Sequence, residues 1–269
     1  MLLNAAAEWG RAKGMEELCG NFNLTAMQQA GVVTEGFENI TFCDQLYGPD
    51  YLPSLLEKCG FTAFFPAQTS IVDLQSFEPE TLVSGRVGEA LLDDRYTFHT
   101  VNKKNLTWAL EQARIALNAG FDKNPMFVPL TKEEFEFQCR DLSTVMDPRI
   151  SVIATQGDRT LGAVVCIPDL NPLLKATKSR FKFTTIFHFL RFRFNRRRAV
   201  IIFYSVVPEF HGKGINGAML YKTTKALKKY GYNELGVTWI SEENLPSLRQ
   251  IEKMGGRVLN RTHLFRKKL

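Results

Sequence analysis

The chain has 269 residues, 45% of them apolar and 23% charged, with 34 Lys and Arg against 28 Asp and Glu. This balance excludes a disordered chain, a collagen-like repeat and a disulfide-stapled miniature fold, and it suits one large domain or two small ones. The five cysteines (Cys19, Cys43, Cys59, Cys139, Cys166) are scattered and never spaced Cys-x-x-Cys, so buried, reduced thiols in a cytoplasmic setting are expected.

The first residues are apolar but lack a basic start, and Glu8 ends the run too early for a signal peptide. The pattern then predicts a helix over Leu3 to Lys13, extended chain over Glu17 to Phe22, a helix over Tyr51 to Lys58 and extended chain over Thr62 to Leu74. From about Arg95, strands and helices alternate. Tyr96 to Val101 is strand-like, and Leu106 to Gly120 carries Trp108, Leu110, Ala113, Ile115 and Leu117 at helical spacing. Thr131 with Glu134 three residues on forms a capping box for a helix running to about Val145. Ile150 to Ala154 and Thr160 to Ile167 flank Gly157-Asp158, a hairpin signal. Ala199 to Val207 is a continuous apolar run, as expected of a strand covered on both faces. A helix from about Gly214 to Tyr230 gathers Ile215, Met219, Leu220, Ala226, Leu227 and Tyr230 on one arc, opposite Lys222, Lys225, Lys228 and Lys229. Leu235 to Ile240 (strand), Leu245 to Met254 (helix, closed by Gly255-Gly256) and Arg257 to Phe265 (strand) complete a mixed α/β order.

Two pairs of strings match. Leu-Pro-Ser-Leu opens the helix at Leu52 and again at Leu245, and Glu-Lys-x-Gly closes each, at Glu57 to Gly60 and Glu252 to Gly255. A diverged internal repeat is expected, with the front half of its first copy missing.

The positive charge is local. Nine basic residues (Lys175, Lys178, Arg180, Lys182, Arg191, Arg193, Arg196, Arg197, Arg198) and no acidic one lie between Leu173 and Arg198, and removing nine from +6 leaves −3 for the rest. Phe181, Phe183, Phe187, Phe189, Phe192 and Phe194 are interleaved with them. Three readings stand open: a solvated loop or hairpin whose aromatics dock on the body; a landing site for an acidic protein or an anionic membrane surface; and nucleic-acid binding, for which one basic segment in an otherwise acidic chain is thin support.

The stretch that carries chemistry is VVPEFHGKGINGAML, Val206 to Leu220, where an apolar strand gives way to a helix. Gly212 and Gly214 permit a tight turn with close backbone approach, and a helix N-terminus presents unpaired N–H groups at its positive end. These features make an anion cradle, best suited to a pyrophosphate. No Gly-Lys-Ser/Thr follows, so it is not a Walker loop. Gly217 completes a G-x-G-x-x-G string, but the loop comes after at least three strands and no acidic residue ends the next one, unlike a dinucleotide fingerprint.

Strand, then V-x-P-E-x-x-G-x-G-I-x-x-x-L, helix, strand, and an Asn-containing helix ending E-K-x-G resembles the GNAT superfamily of acyl-CoA-dependent N-acyltransferases. The signature Gln/Arg-x-x-Gly-x-Gly/Ala stands here as Glu209-Phe210-His211-Gly212-Lys213-Gly214. The resemblance covers about Arg95 to Leu269, while residues 1–90 resemble part of a bacterial group of two-lobed GNAT-like proteins. The expected division is a partial GNAT-like lobe over 1–94 and an acyltransferase domain over 95–269, with the basic insert at 173–198.

The resemblance implies acetyl-CoA or a longer acyl-CoA as donor and direct attack by an amine. Phe210, His211, Gly212, Lys213, Gly214, Ile215 and Asn216 would cradle the pyrophosphate. Ser205, Val206 and Val207 would pair with the pantetheine arm between the strands ending near Val207 and Ile240, with Asn244 and Ser247 contacting it. A main-chain N–H near Val206 or Val207 would stabilise the oxyanion, and Tyr204 and Glu242 stand by position as acid–base candidates beside Ser205, Ser241 and Glu243. Many relatives carry a proton-donating Tyr where this chain has Ile251. Two alternatives therefore remain: an N-acyl amino acid synthase fed by acidic acyl carrier protein, whose phosphopantetheine would replace CoA, and a non-catalytic CoA-binding or scaffold protein, with a homodimer as a further expectation. No metal site is expected from the spacing of the histidines, and His211 is expected to face phosphate or solvent.

Overall fold

Every residue of the Thr160 to Pro168 run is buried, which requires cover on both faces because successive strand side chains alternate. The structure is a computed structural model and describes residues 2–23, 29–122, 127–140 and 145–269. Its elements begin with α1 (Leu2–Ala12), β1 (Glu17–Gly20), β2 (Phe22–Asn23), β3 (Gln29–Ala30), β4 (Val32–Glu35), α2 (Leu52–Lys58) and β5 (Thr62–Asp73). There follow α3 (Arg86–Leu92), β6 (Thr97–Thr100), α4 (Leu106–Gly120), α5 (Lys132–Cys139), β7 (Val152–Gln156) and β8 (Arg159–Pro168). The remainder is α6 (Asn171–Thr177), α7 (Thr185–Phe194), β9 (Arg198–Val206), α8 (Ile215–Lys229), β10 (Glu234–Ser241), α9 (Leu245–Lys253) and β11 (Arg257–Lys268).

The chain divides into two compact units, Met1–Ile71 with Val237–Leu269 and Val72–Gly236. This division differs from the expected boundary after residue 94, and pairing explains it. In the first unit β11 runs antiparallel to β1 (Glu17 opposite Lys268), β4 (Arg261 opposite Glu35) and β5 (Val258 opposite Ser70), so the C-terminal strand joins the N-terminal ones. Val32, Leu56, Phe61 and Phe265 form the core there. The matched strings build like pieces: α2 and α9 each carry Pro in the first turn, and Gly60 and Gly255 after them both take positive φ (81° and 71°) before β5 and β11.

The second unit is an antiparallel meander β6-β7-β8-β9, with Phe98 opposite Ala154, Ile153 opposite Ala163 and Val164 opposite Tyr204. Gly157, at φ 55°, makes the expected β7–β8 turn. Both α4 and α8 pack on β8. The capping box forms as read: Glu134 N–H donates to Thr131 Oγ1 (3.2 Å) and Thr131 N–H to Glu134 Oε2 (2.9 Å). Its helix, α5, is described to Cys139; of the remainder expected to Val145, residues 141–144 lie outside the described residues. Residues 79–82 and α3 pack on α8, where Lys225 pairs with Glu80 (3.2 Å) and Lys228 with Glu78 (3.1 Å), which places 72–94 in this unit.

Two sequence expectations are corrected. The basic insert is helical, α6 and α7, and of its aromatics only Phe192 is buried against the body, whereas Phe181, Phe183, Phe187 and Phe194 are exposed. The overlooked cue was the spacing of Phe183, Phe187, Leu190 and Phe194 (i, i+4, i+7, i+11), which is helical. Two of the nine cations are also structural. Arg196 Nη2 lies 3.1 Å from Asp147 Oδ2, and Arg198 binds Glu234 (2.7 Å) and Asp169 (3.5 Å), fastening the end of the insert to the body. Of the five thiols, none in a disulfide, only Cys139 and Cys166 are buried; burial raises the pKa of both, that of Cys139 to about 11.

Candidate active site

The glycine loop begins where β9 ends. Pro208 opens a single 3-10 turn, in which Phe210 N–H donates to Val207 O (3.0 Å) and His211 N–H to Pro208 O (3.1 Å). Gly212 and Gly214 then take φ of 74° and 82°, conformations that any side chain would strain. The Phe210 ring is buried, edge-on to Tyr96 at 6.3 Å, with Lys213 Nζ (4.4 Å) and the Arg159 guanidinium (5.0 Å) over it. Glu209, standing where relatives carry Gln or Arg, pairs with Arg159 at 3.3 Å and leaves the turn intact.

Beyond the turn, the N–H groups of Gly212, Gly214 and Ile215 make no hydrogen bond among the described residues. They sit at the positive end of a 15-residue helix with no acidic residue in its first turn. One residue absent from the sequence reading belongs here. Arg86, from the start of α3, donates from Nη1 to Gly212 O at 2.9 Å. The Arg86 carbonyl also fills the space a Cβ on Gly214 would need, and Val87 crowds Gly217 in the same way. Close backbone approach at Gly214 was expected from a ligand; the structure assigns it to α3, while the loop amides stay unpaired. No local pattern signals Arg86, which lies 126 residues before its partner.

The end of β9 also differs from expectation. Val207 N–H donates to Leu161 O at 2.8 Å, so it is not the free amide expected to face an acyl carbonyl. That bond makes Val206 opposite Gly162 a non-hydrogen-bonded pair, and the main chain of Val206 points to the edge away from β8. By the same alternation Ser205 turns its main chain towards Ala163, and its buried hydroxyl donates to Ala116 O (2.8 Å), so it packs the strand against α4. Tyr204 Oη donates to Asn216 O (2.8 Å), tying the strand to the first turn of α8. His211 turns back to the strand: Nε2 lies 2.8 Å from Val206 O, which fixes Nε2 as the protonated nitrogen and leaves Nδ1 as the acceptor. His99 and His263 bond Thr155 (2.9 Å) and Thr34 (2.8 Å) and share nothing with it.

The other expected residues belong to the first unit. The Glu242 carboxylate is paired with Arg261, which also binds Glu35 at 3.2 Å, so Glu242 joins a charge cluster on β4 and β11 rather than standing as a free base. Asn244 Oδ1 accepts from Ser247 N–H at 3.3 Å, capping α9 and using the groups expected to touch a pantetheine arm. Ile251 is buried and offers no proton.

Known proteins resemble this chain in sequence or in fold. Protein YghO of Escherichia coli (strain K12) is 22% identical over 283 residues, covering 100% of this chain and 70% of that protein. The Bacterial ceramide synthase of Caulobacter vibrioides (strain NA1000 / CB15N) is 22% identical over 263 residues, covering 95% and 68%. A GCN5-related N-acetyltransferase from Sphaerobacter thermophilus has the same fold, with a TM-score of 0.54 at 15% identity, covering 82% of this chain and 56% of that one. The chain therefore spans just over two thirds of the two relatives and about half of the third. Residues 122–255 match the Acetyltransferase (GNAT) family. Through that domain, with its meander, glycine turn and following helix, the chain belongs to the GNAT superfamily.

Proposed function

We propose that the protein is an acyl-CoA-dependent N-acyltransferase whose loop, Phe210 to Asn216, holds the donor's pyrophosphate. The observation that carries this reading is the set of three unpaired amides, Gly212, Gly214 and Ile215, at a positive helix end with Arg86 and Lys213 beside them. When bound, the donor supplies an acyl group activated as a thioester. Of the two residues expected to stabilise the oxyanion, Val206, whose main chain points away from β8, takes the part: its N–H faces the acyl carbonyl and its C=O orients His211. His211 Nδ1 would accept the proton shed by the attacking amine as the C–N bond forms and return it to the thiolate released as the C–S bond breaks. Tyr204 and Ser205 position the strand, and the charge developed at the carbonyl is met by main chain rather than by a side chain.

For the acceptor, one observation supports an amine bearing a hydrocarbon chain: the relative named as a bacterial ceramide synthase. A carrier-protein phosphopantetheine suits the same cradle and is the alternative donor. The buried Ile251 favours a second reading, a CoA-binding protein without turnover.

Coenzyme A at 100 times its Kd should raise the melting temperature by about 5 °C or more, because a ligand of the native state must stabilise it. No shift at millimolar CoA overturns the proposal; a shift without thiol release across a panel of amines selects the non-catalytic reading. His211→Ala should lower kcat about 100-fold. An unaltered kcat would discard His211 as base.

A further inference from the structure

The outward face of α7 has no assigned role. On a helix turning about 100° per residue, Ile186, Phe187, Leu190 and Phe194 fall within an arc of about 100°. Arg191 and Arg193 stand about 80° to either side of its centre, and Phe192 about 180° from it. The structure agrees with the wheel: Phe192 is 8% exposed and fixes α7 to the body, whereas Phe187 is 62% and Phe194 83% exposed. The stripe continues through Phe183, edge-on to Phe187 at 6.4 Å, to Phe181, which is 97% exposed. Around it Lys175, Lys178, Arg180, Lys182, Arg191, Arg193 and Arg197 make no ion pair among the described residues, and no acidic residue lies between Asn171 and Arg198.

From this geometry we infer that α7 and residues 181–184 lie in the surface of an anionic lipid bilayer. An apolar arc edged by arginines is the form of an in-plane helix: the rings enter the acyl boundary, while the guanidinium groups reach sideways to phosphates and the remaining cations face the headgroups. Ten residues span about 15 Å, half of a hydrocarbon core, so α7 lies on the bilayer rather than through it. Among the described residues no helix is long and apolar enough to cross a membrane. Other occupants fit less well. A second copy would bring seven unpaired cations against seven more. Nucleic acid or an acidic carrier protein would engage the cations but set its charges against the apolar centre of the stripe.

The test is flotation of the full-length chain, without donor, on vesicles of equimolar phosphatidylglycerol and phosphatidylcholine and on phosphatidylcholine alone. The parent should bind the anionic vesicles at least about tenfold more tightly than the neutral ones. Phe187→Ser/Leu190→Ser/Phe194→Ser and Arg191→Glu/Arg193→Glu should each reduce that binding about tenfold or more. Should the apolar triple variant melt early, the arginine variant decides alone, since its two side chains have no acidic partner among the described residues. Absence of vesicle binding overturns the inference, as does binding that the arginine variant retains. So does a dimer, a carrier-protein complex or a nucleic-acid complex that the same variants abolish while vesicles stay unbound. The outcome is independent of the acyl-transfer reading, because no donor is present.

Discussion

A Gly212→Asp protein is expected to bind CoA at least about 100-fold more weakly than the parent, a loss of ~2.7 kcal/mol, while melting within a few degrees of it. At φ 74° Asp is among the better-tolerated side chains, and a Cβ there meets only Arg86 Nη1 at 3.4 Å. The added carboxylate would take the position of the incoming phosphate, neutralise Arg86 and repel what the unpaired amides would otherwise bind. Gly214→Asp is the wrong choice despite sharing the motif. Its Cβ would overlap the Arg86 carbonyl and dislodge α3, so weaker binding would follow from damage rather than charge. Calorimetric titration beside a thermal melt separates these effects, and unchanged affinity in Gly212→Asp would remove the loop from donor binding.

The second large effect is on stability. Asp147→Asn should destabilise the protein by about 3 kcal/mol, lowering the melting temperature by roughly 10 °C. Asp147 is 3% exposed and accepts from Arg149 at Nε and Nη2 (2.8 Å each) and from Tyr232 Oη (3.2 Å), with Arg196 at 3.1 Å. Burial alone would raise its pKa, but the Arg149 hydrogen bonds and the Arg196 charge more than offset that and hold it below the ordinary value. The sign follows. A carboxylate with a lowered native pKa contributes stability that is complete above its unfolded pKa, about 4, and is lost as pH falls through the native value. Melting temperature measured against pH below about 4 should therefore fall more steeply in the parent than in Asp147→Asn. Parallel curves would show that the cluster contributes little.

Much of the architecture was legible because it is written locally. Leu106–Gly120 is the helix that its apolar spacing foretold, the Thr131–Glu134 box forms, and the boundaries of β8, β9, α8 and α9 fall within about two residues of the hydrophobic periods and glycine stops that marked them. The insert was misread because its charge drew attention from its helical spacing. At the site, the loop could be located, but the engagement of each side chain could not. Ser205 with Ala116, Glu242 with Arg261, and Arg86 with Gly212 join residues 89, 19 and 126 positions apart, and no short pattern encodes such partners. His211 was assigned to phosphate or solvent because its position in the loop carries no information about which way a flexible imidazole turns; the bond to Val206 supplies that.

One strand has a consequence for synthesis. β11 is antiparallel partner to β1 and β4, made more than 200 residues earlier. A nascent chain therefore carries both with that pairing edge unsatisfied until residues 257–268 clear the ribosome, an interval of tens of seconds at about 5–20 residues per second. Throughout it, those edges can template pairing with neighbouring chains, so the first unit depends on chaperone protection or dilution, whereas the β6–β9 meander, built from sequence neighbours, can close as it emerges.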